Sequence, residues 1–567
     1  MAKVISIGNQ SFESIREKDN FYVDKTNFIK EWWDNDDIVT LITRPRRFGK
    51  TLNMNMLECF FSNKYKDRGD LFEGLEIWND EKYRKLQGTY PVIFLSFASI
   101  KGNTFELAKN QIYEKIAELY ENNRFLLESD CMSDTEKAKY RSFLENPIDK
   151  DVSFALNSLS KYLSSYFGKN VIILLDEYDT PMQEAYVNGY WVELVAFTRS
   201  LFNATFKTNP YLERAIMTGI TRVSKESIFS DLNNLEVVTT LSPKYETSFG
   251  FTEKEVFNAL DEQGLPDEKE IVKMWYDGFK FGEKSDIYNP WSIINYLDKK
   301  KIALYWAESS SNGLINSLVQ KGSSYIKTMV ENLIRGEKIN VVIDEQIVFS
   351  ELDYSEDAVW SLMLASGYLK VVSSEELNLI RESDNEYELA LTNREILFMF
   401  RKMILRWFSP AKHETNEFIR ALISGDIESM NEYMNKVTLK TISYFDTGNT
   451  PSDEEPERFF HGFVLGLMVD QTENYIINSN RESGYGRYDI MLEPIDKTNE
   501  KLPGIVIEFK VINPRKENSL EETVEAALKQ IEEKNYNAEL IKRGVKEENI
   551  HHYGFAFKGK EVLIDGR

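Results

Sequence analysis

Short, uninterrupted apolar runs alternate with longer amphipathic stretches over the first half of the chain. Stretches such as FELAKNQIYEKIAELYENN separate the runs, which are DIVTLIT (37–43), PVIFLSF (91–97), NVIILLDEYD (170–179) and RAIMTGIT (214–221). Continuous apolar runs are typical of strands buried on both faces, and their alternation with helical stretches predicts a parallel sheet covered by helices. Helical patterns then dominate, so we expect a helical lid over residues 249–330.

The second half of the chain changes pattern twice. Short strand-like runs (KINVVI, YLKVV and YELALT) mix with helical stretches over residues 331–444, and this mixture fits a helical, winged-helix-like unit. Gly, Pro, Asp and Ser then concentrate in FDTGNTPSDEEPERF, which predicts a loop before a new domain. Beyond it, the runs YIINSN, RYDIMLEP, GIVIEFKVI and HHYGFAFKG surround the helical stretch LEETVEAALKQIEEKNY and predict a second α/β unit.

The predicted fold class is therefore α/β in four parts. These parts cover residues 1–248, 249–330, 331–444 and 445–567. The length of 567 residues agrees with this division, because a prior of roughly 150 residues per domain suggests three or four units.

Composition and charge narrow the class of protein. The net charge is −23, which argues against a surface coated with Lys and Arg for nucleic acid, although a local basic groove stays open. Cys59 and Cys131 form no C-x-x-C pattern, and the apolar run FFHGFVLGLMV is far shorter than the roughly 18 residues that predict a membrane span. We expect a cytoplasmic protein with no membrane segment.

The stretch RPRRFGKT, residues 44–51, resembles the end of a phosphate-binding loop, but Arg44 stands where the pattern G-x-x-x-x-G-K-[ST] has glycine. The functional tail is intact. Gly49 permits the tight backbone, Lys50 reaches the β and γ phosphates, and the hydroxyl of Thr51 ligates Mg²⁺. A strand-like run before the loop and a helical stretch after it supply the required context, whereas FGKT alone is common by chance.

A second motif with nucleotide chemistry is VIILLDEYD, an apolar strand that ends in adjacent carboxylates. Asp176 would hold Mg²⁺ through water, and Glu177 would orient or deprotonate the attacking water. In TGITR, Thr218 and Arg222 follow another strand, where a sensor of the γ-phosphate would lie. Together with the loop, this order of motifs predicts an ATP site.

Each of three arginines near this site can have either of two roles. Arg46 and Arg47 can contact phosphate, yet two arginines on a loop are more often solvated or paired with acids. Arg222 is either a sensor or a member of a structural ion pair.

The C-terminal unit carries a different carboxylate pattern. Asp489 is followed 19 residues later by Glu508, Phe509 and Lys510 on a strand-like run. Glu508 and Lys510 share one face of a strand, and Asp489 can meet them from the neighbouring strand. Two carboxylates can ligate Mg²⁺, and a nearby lysine can orient or activate the water that attacks a phosphodiester.

The alternative for this pattern is a surface ion pair. Apolar neighbours argue against it, because they bury the strand and leave its charged residues in need of partners. Glu457 would add a carboxylate from a helix, and Gln530 with Tyr536 would border the site.

These motifs together resemble one protein family across nearly the whole chain. The matching stretches are IREKDNFYVDKT, RPRRFGKT, LLDEYDTP, GITRVSKESIFSDLNNL, WYDGFKFG, YNPWSIINYL, SNRESGYGRYDIML and IVIEFK. They are similar to bacterial AAA-ATPase-like proteins that carry a C-terminal domain of the PD-(D/E)XK nuclease superfamily. In this family Arg occupies the position of the first loop glycine.

The resemblance implies a P-loop NTPase module of the ASCE/AAA-like class joined to a restriction-endonuclease-like fold. Lys50, Thr51, Asp176 and Glu177 match its nucleotide motifs. The nuclease motif is matched by the residues Asp489, Glu508 and Lys510. ATP and Mg²⁺ are the implied cofactors.

Two functions from different classes stay open. The first is an ATP-dependent or ATP-gated nuclease that acts on nucleic acid, with DNA favoured over RNA. The second is a nucleotide-switched regulator that binds nucleic acid or protein without cutting, and the 20 acidic against 16 basic residues over 457–567 favour it mildly. A homo-oligomer is also left open, since rings are common among related ATPases but no dependable trans-acting arginine stands out.

Overall fold

A computed structural model of the protein describes most of the chain. The described residues are 3–145, 152–222, 229, 232–309, 313–345, 352, 355–372, 386–407, 412–441, 474–479, 482–483, 486–487, 489–513, 516–558 and 561–567. They form two compact units, each built from two segments. Unit 1 comprises residues 1–318 and 338–396, and unit 2 comprises residues 319–337 and 397–567. The predicted domain start at residue 445 lies outside the described residues.

The first part of unit 1 is a parallel sheet covered by helices. Its elements are α1 (Phe12–Glu17), α2 (Asn27–Asn35), β1 (Val39–Thr43), α3 (Lys50–Phe61), α4 (Glu81–Leu86), β2 (Val92–Ser96), α5 (Phe105–Asn122), α6 (Asp134–Glu145), α7 (Ala155–Phe167), β3 (Val171–Asp176), α8 (Thr180–Asn188), α9 (Trp191–Phe202), β4 (Leu212–Gly219) and β5 (Leu235–Val238). The strand order is β2-β3-β4-β1-β5, and all neighbours are parallel. The predicted parallel sheet is confirmed.

The central strands are buried on both faces, as their unbroken apolar sequences predicted. All five residues of β1 and all six of β3 are buried. Helix α3 buries Met54, Met56, Leu57 and Phe60 in the core between the sheet and the N-terminal helices. The edge strand β5 was not predicted, because it has four residues and only the last is buried.

Arg44 ties the end of β1 to the chain beyond β5. Its side chain is fully buried. Its Nη1 donates hydrogen bonds to the carbonyl oxygens of Thr43 at 2.9 Å and Thr239 at 2.7 Å. The guanidinium also lies over the ring of Phe281, 4.6 Å from its centroid. Where the usual loop has glycine, this protein therefore has a side chain that serves the core.

The chain from residue 251 to residue 407 forms the second part of unit 1, with helices and two small sheets, and it also supplies residues 319–337 and 397–407 to unit 2. The elements are β6 (Phe251–Thr252), α10 (Glu253–Glu262), α11 (Lys269–Tyr276), β7 (Phe279–Phe281), β8 (Lys284–Tyr288), α12 (Pro290–Lys299), α13 (Gly313–Lys321), α14 (Ser324–Ile334), β9 (Ile339–Val342), α15 (Glu356–Ala365), β10 (Leu369–Val371), β11 (Glu386–Leu391) and α16 (Arg394–Trp407). The sheets β6-β8-β7 and β10-β11-β9 are antiparallel. Strands β6, β7 and β8 were not predicted in this region, where we expected a helical lid. Runs of two to five residues are too short to show a clear period.

Unit 2 is built around a mixed sheet with helices on both faces. Its further elements are α17 (Lys412–Ser424), α18 (Ile427–Thr441), β12 (Tyr475–Ser479), β13 (Glu482–Ser483), β14 (Gly486–Arg487), β15 (Ile490–Pro494), β16 (Gly504–Val511), α19 (Leu520–Glu533), α20 (Ala538–Lys542), β17 (Ile550–Lys558) and β18 (Glu561–Gly566). The order is β12-β15-β16-β17-β18, with β16 and β17 parallel and the other pairs antiparallel. The predicted second α/β unit is confirmed, and β18 is a strand that the sequence pattern did not reveal.

Alternate residues of β16 pack against different helices. Ile505 and Ile507 belong to the core cluster that includes residues of α17 and α18. Val506 belongs to the cluster with Val524 and Leu528 of α19. Because side chains alternate along a strand, Glu508 and Lys510 share the face of Val506, toward α19.

None of the helices in the described ranges has both the length and the apolar character that a membrane crossing requires.

Three carboxylates meet beside the small sheet β6-β8-β7. Glu253, Asp277 and Asp286 each offer an oxygen within 4.8 Å of the others, and Lys273 donates a hydrogen bond to Glu253. Burial, and after it the nearby charge of Asp286, raises the pKa of Asp277 to about 7. Asp277 therefore holds its proton more tightly in the folded protein than in the unfolded chain.

Replacing Arg44 by the glycine of the usual loop should destabilise the protein. Arg44→Gly leaves the buried carbonyl oxygens of Thr43 and Thr239 without their donor, so we expect a loss of more than about 3 kcal/mol. Arg44→Lys keeps the positive charge but not the several N–H donors of the guanidinium group. Its loss in the free energy of unfolding should therefore be smaller. Denaturant unfolding followed by circular dichroism measures both, and a change below about 1 kcal/mol for Arg44→Gly would contradict the structural role.

Asp277 should make stability depend on pH. Its pKa is about 7 in the fold and 3.8 ordinarily, so its contribution is complete below about pH 4 and is lost as the pH rises through about 7. Asp277→Asn stays neutral at every pH. The melting temperature of this variant minus that of wild type should therefore be on the order of 2–4 °C larger at pH 8 than at pH 5. Scanning fluorimetry measures this, with the exposed Asp267→Asn as control; equal pH dependence of all three proteins would refute the assignment.

Candidate functional site

The carboxyl ends of the parallel strands in unit 1 bring the predicted nucleotide residues together. Leu175 of β3 lies opposite Met217 of β4, so Asp176 and Thr218 end neighbouring strands at the same level. Asp176 is fully buried. Its Oδ2 accepts a hydrogen bond from Thr51 Oγ1 at 2.8 Å, and its Oδ1 accepts one from Thr218 Oγ1 at 2.7 Å. One carboxylate thus joins the start of α3 to the end of β4.

Burial is the main influence on the charge of Asp176. It raises the pKa of this carboxyl above its usual value, the nearby Glu177 adds to the rise, and the hydroxyl donors Thr218 and Thr51 act against it. A buried carboxylate beside a second carboxylate and a hydroxyl is a set of hard oxygen donors. Such a set fits Mg²⁺.

Lys50 and Gly49 form the turn from the loop into α3. Gly49 has a φ of +78°, a left-handed conformation that favours glycine, and it is the N-cap of α3. The Nζ of Lys50 donates to the carbonyl oxygens of Arg44 at 3.0 Å and Pro45 at 2.9 Å. Burial lowers the pKa of Lys50, and nearby carboxylates, Glu177 foremost, oppose this. An ammonium group at a helix N-terminus suits an anionic ligand.

Glu177 has a strained backbone at the end of β3. Its φ is +52°, which is uncommon for a residue with a side chain. Its N–H donates to Thr218 Oγ1 at 3.4 Å, and its Oε2 accepts a hydrogen bond from Thr180 Oγ1 at 3.2 Å. Strained residues of this kind cluster at functional sites, where the surrounding contacts hold them.

The arginines near the site differ in their surroundings. Arg46 donates from Nη2 to Gln183 Oε1 at 3.0 Å. Arg47 lies over the ring of Trp291, 4.5 Å from its centroid. Arg222 is half-buried three residues beyond β4. The guanidinium groups of Arg46 and Arg47 thus have partners within the protein.

Sequence reasoning did not single out Asp179, the last acid of the run DEYD. This side chain is almost fully buried. Its Oδ2 accepts hydrogen bonds from the backbone N–H groups of Ile220 and Thr221, both at 2.9 Å. Asp179 therefore fastens the turn after β3 to the turn after β4. A side chain at Gly219 would come within 2.7 Å of its Oδ1, so glycine is needed there.

The C-terminal carboxylates of unit 2 also come together. Ile490 lies opposite Ile507 in the antiparallel pair of β15 and β16, which places Asp489 beside Glu508. Asp489 Oδ2 accepts a hydrogen bond from the N–H of Phe509 at 2.8 Å. Glu508 is only 5% exposed. Two carboxylates therefore meet where β15 begins.

Gln530 of α19 links the other members of this group. Its Oε1 accepts a hydrogen bond from Lys510 Nζ at 2.8 Å, and its Nε2 donates to Glu508 Oε1. The same Nε2 lies 3.2 Å from the hydroxyl oxygen of Tyr536. Gln530 thus keeps Lys510 close to Glu508 and fixes both side chains on one face of β16.

Burial also governs the acidity of this second site. It raises the pKa of Asp489, while the Phe509 N–H and the positive charges of Arg335 and Lys510 act in the opposite direction. The buried Glu508 and the half-buried Asp489 are hard oxygen donors that fit Mg²⁺. The further carboxylate predicted at Glu457 lies outside the described residues.

Comparison with known proteins finds a family match for each of the two segments that carry these sites. Residues 6–229 match the sequence model of a family described as predicted AAA-ATPase, and residues 455–566 match that of the PD-(D/E)XK nuclease superfamily. The chain is also 23% identical over 574 residues to a protein of Azotobacter chroococcum mcd 1 described as "Uncharacterized protein in vnfD 5'region". That alignment covers 100% of this chain and 98% of the relative. The chain is therefore similar to the predicted AAA-ATPase family over its N-terminal segment and to the PD-(D/E)XK nuclease superfamily over its C-terminal segment, each of which carries one of the two sites.

Proposed function

We propose that this protein binds and hydrolyses ATP and that its C-terminal domain cleaves phosphodiester bonds of nucleic acid with Mg²⁺. One observation carries the proposal: in each unit, a lysine lies near carboxylates at a strand end, and one of these carboxylates, Asp176 or Glu508, is buried. The two family matches support it, because these families suggest an ATPase and a nuclease-like enzyme.

At the nucleotide site each residue has a distinct task. Lys50 and the N-terminus of α3 bind the phosphates, and Thr51 and Asp176 would hold Mg²⁺. When bound, the ion neutralises charge on the phosphate oxygens. Glu177 orients or deprotonates the attacking water, and its fixed, strained backbone supports this task. A second group at the end of β4, Thr218 with Arg222, contacts the γ-phosphate.

At the nuclease site the carboxylates and the lysine divide the work. Asp489 and Glu508 would hold Mg²⁺, and the ion when bound stabilises charge on the phosphate. Lys510 orients or activates the attacking water. Gln530 supports this assignment, because its hydrogen bonds keep the lysine beside the carboxylate of Glu508.

We infer that nucleotide state controls the nuclease and that the substrate is DNA rather than RNA. The segments 249–330 and 331–444, proposed here as a helical lid and a winged-helix-like part, lie between the two catalytic domains in the chain. A nucleotide-dependent change in them would reach the nuclease domain. A homo-oligomer would suit this ATPase class, and sedimentation with and without ATP tests that step.

Two substitutions should separate ATP binding from hydrolysis. Lys50→Ala removes the buried ammonium group, so ATP affinity should fall about tenfold or more. Glu177→Gln keeps the phosphate contacts, so binding should persist while hydrolysis falls about a hundredfold. Calorimetry and phosphate release measure the two effects, and Lys64→Ala, an exposed lysine just after α3, is the matched control. Normal hydrolysis by Glu177→Gln would remove this residue from the mechanism.

Lys510→Ala tests the nuclease. Cleavage of linear, circular and single-stranded DNA and of RNA is measured with Mg²⁺ or Mn²⁺, with and without ATP. We expect wild type to cut DNA and Lys510→Ala to lose about a hundredfold or more in rate while remaining folded. Lys529→Ala, which changes an exposed lysine one residue before Gln530, should cut normally. No cleavage of any substrate by wild type would instead favour a regulator that binds without cutting.

A further inference from the structure

The outer side of the phosphate loop is held by residues that lie beyond the parallel sheet. The carbonyl oxygen of Arg46 accepts hydrogen bonds from Trp306 Nε1 at 2.9 Å and from Asn289 Nδ2 at 3.3 Å. Two residues further along the loop, Phe48 packs edge-on against Phe279 with ring centroids 4.8 Å apart. The backbone and a side chain of the loop are therefore both fastened to the second part of unit 1.

Trp306 is itself held firmly. It is 2% exposed, and its ring packs perpendicular to Phe279 at 5.8 Å and against Tyr368 at 5.5 Å. An indole has a single N–H donor, and here that donor serves the loop. Because the neighbouring rings prevent the indole from turning, its N–H defines one position for the Arg46 carbonyl.

Glu395 fixes the backbone from which Trp306 projects. This residue lies in the first turn of α16 and is almost fully buried. Its Oε1 accepts hydrogen bonds from the N–H groups of Trp306 at 2.7 Å and Ala307 at 3.2 Å, and its Oε2 accepts one from Ser292 Oγ at 2.8 Å. The carboxylate thus joins the segment of Trp306 to the first turn of α12.

Asn289 completes the arrangement at the N-terminus of α12. Its Oδ1 accepts hydrogen bonds from the N–H groups of Trp291 at 2.9 Å and Ser292 at 3.3 Å and so caps the helix. Since the oxygen is committed to the cap, the amide nitrogen is turned toward Arg46. Glu395 therefore supports both donors, through Trp306 directly and through Ser292 at the start of α12.

The orientation of the Arg46 carbonyl decides where the next N–H points. A trans peptide unit is planar, and its C=O and N–H groups point in opposite directions. Holding the Arg46 carbonyl toward Trp306 and Asn289 therefore turns the Arg47 N–H away from them. A phosphate-binding loop works through backbone N–H groups that are already aimed at the anion.

We propose that Trp306 is a positioning residue for the nucleotide site, which it serves by holding the phosphate loop in the conformation that binds phosphate. Asn289 is the second donor of the same clamp, and Glu395 keeps both in place. This inference rests on the proposed ATP binding and adds a specific requirement to it. Trp306, Asn289 and Glu395 lie outside the usual phosphate-loop motif. They hold a loop whose first residue, Arg44, has its side chain buried in the core.

The test compares two substitutions that each remove a buried indole N–H. Trp306→Phe loses the donor to the Arg46 carbonyl, whereas Trp32→Phe loses a donor to Thr40 Oγ1, which lies 3.3 Å away within the core. ATP with Mg²⁺ is titrated calorimetrically into the full-length chain. We expect Trp306→Phe to weaken ATP binding about threefold to tenfold, and Trp32→Phe to bind as wild type does.

Hydrogen exchange supplies a readout that a merely structural role would not move. In Trp306→Phe, amide protection should fall over residues 46–51 and stay unchanged in β3. A loss of protection that spreads equally over the sheet would overturn the proposal, since it would mean general destabilisation.

Asn289→Asp keeps the capping oxygen of α12 and removes the donor to Arg46. Asn289→Asp should weaken ATP binding as well. If Trp306→Phe fails to fold, this variant tests whether the donors to the Arg46 carbonyl matter for ATP binding. Wild-type affinity in Asn289→Asp, or equal affinities of Trp306→Phe and Trp32→Phe, would overturn the clamp and leave the proposed ATP site standing. If wild type bound no ATP, both the site and the clamp would fall together.

Discussion

The predicted nucleotide site depends on one geometric constraint, that parallel strands end at a shared edge. In unit 1 this edge brings Asp176 and Thr218 to the same level, and the loop after β1 delivers Thr51 to the same carboxylate. The hydroxyl donors stabilise the buried charge that desolvation opposes. If β4 did not lie between β1 and β3, the loop and the acidic strand would not have this common neighbour.

Unit 2 assembles a comparable group by a different route. Here the strands that carry the carboxylates are antiparallel, so Asp489 precedes its strand while Glu508 lies near the end of the next one. A helix residue, Gln530, then joins Glu508 to Lys510. Both sites therefore place acids where a strand ends, because side chains there are anchored by the core on one side and can reach a ligand on the other.

Much of this was predictable from local patterns. The strands β1, β3 and β16 are largely buried and have mainly apolar sequences, so they, and the acids on or beside them, could be located from the sequence. The spacing of Glu508 and Lys510 was enough to put them on one face. The roles of these residues in binding and catalysis stay predictions until the substitutions are measured.

Other features of the fold could not be predicted from local sequence patterns. The partner of Arg44 is Thr239, which lies 195 residues away, and the contact of Trp306 with Arg46 spans 260 residues. Such bonds exist only after the chain has folded, so nothing in the local pattern showed that the arginine in place of glycine would belong to the core. Strands β5 and β18 were missed because short edge strands carry a weak apolar pattern.

The interleaving of the two units has a consequence for how this protein can evolve. Residues 338–396 of unit 1 separate the two segments of unit 2, and one junction falls inside the continuous helix α16. A single recombination point between the two matched segments would therefore divide at least one of the units. A chain cut to residues 1–318 or to residues 397–567 would keep a whole matched segment but would lack part of the unit to which that segment belongs.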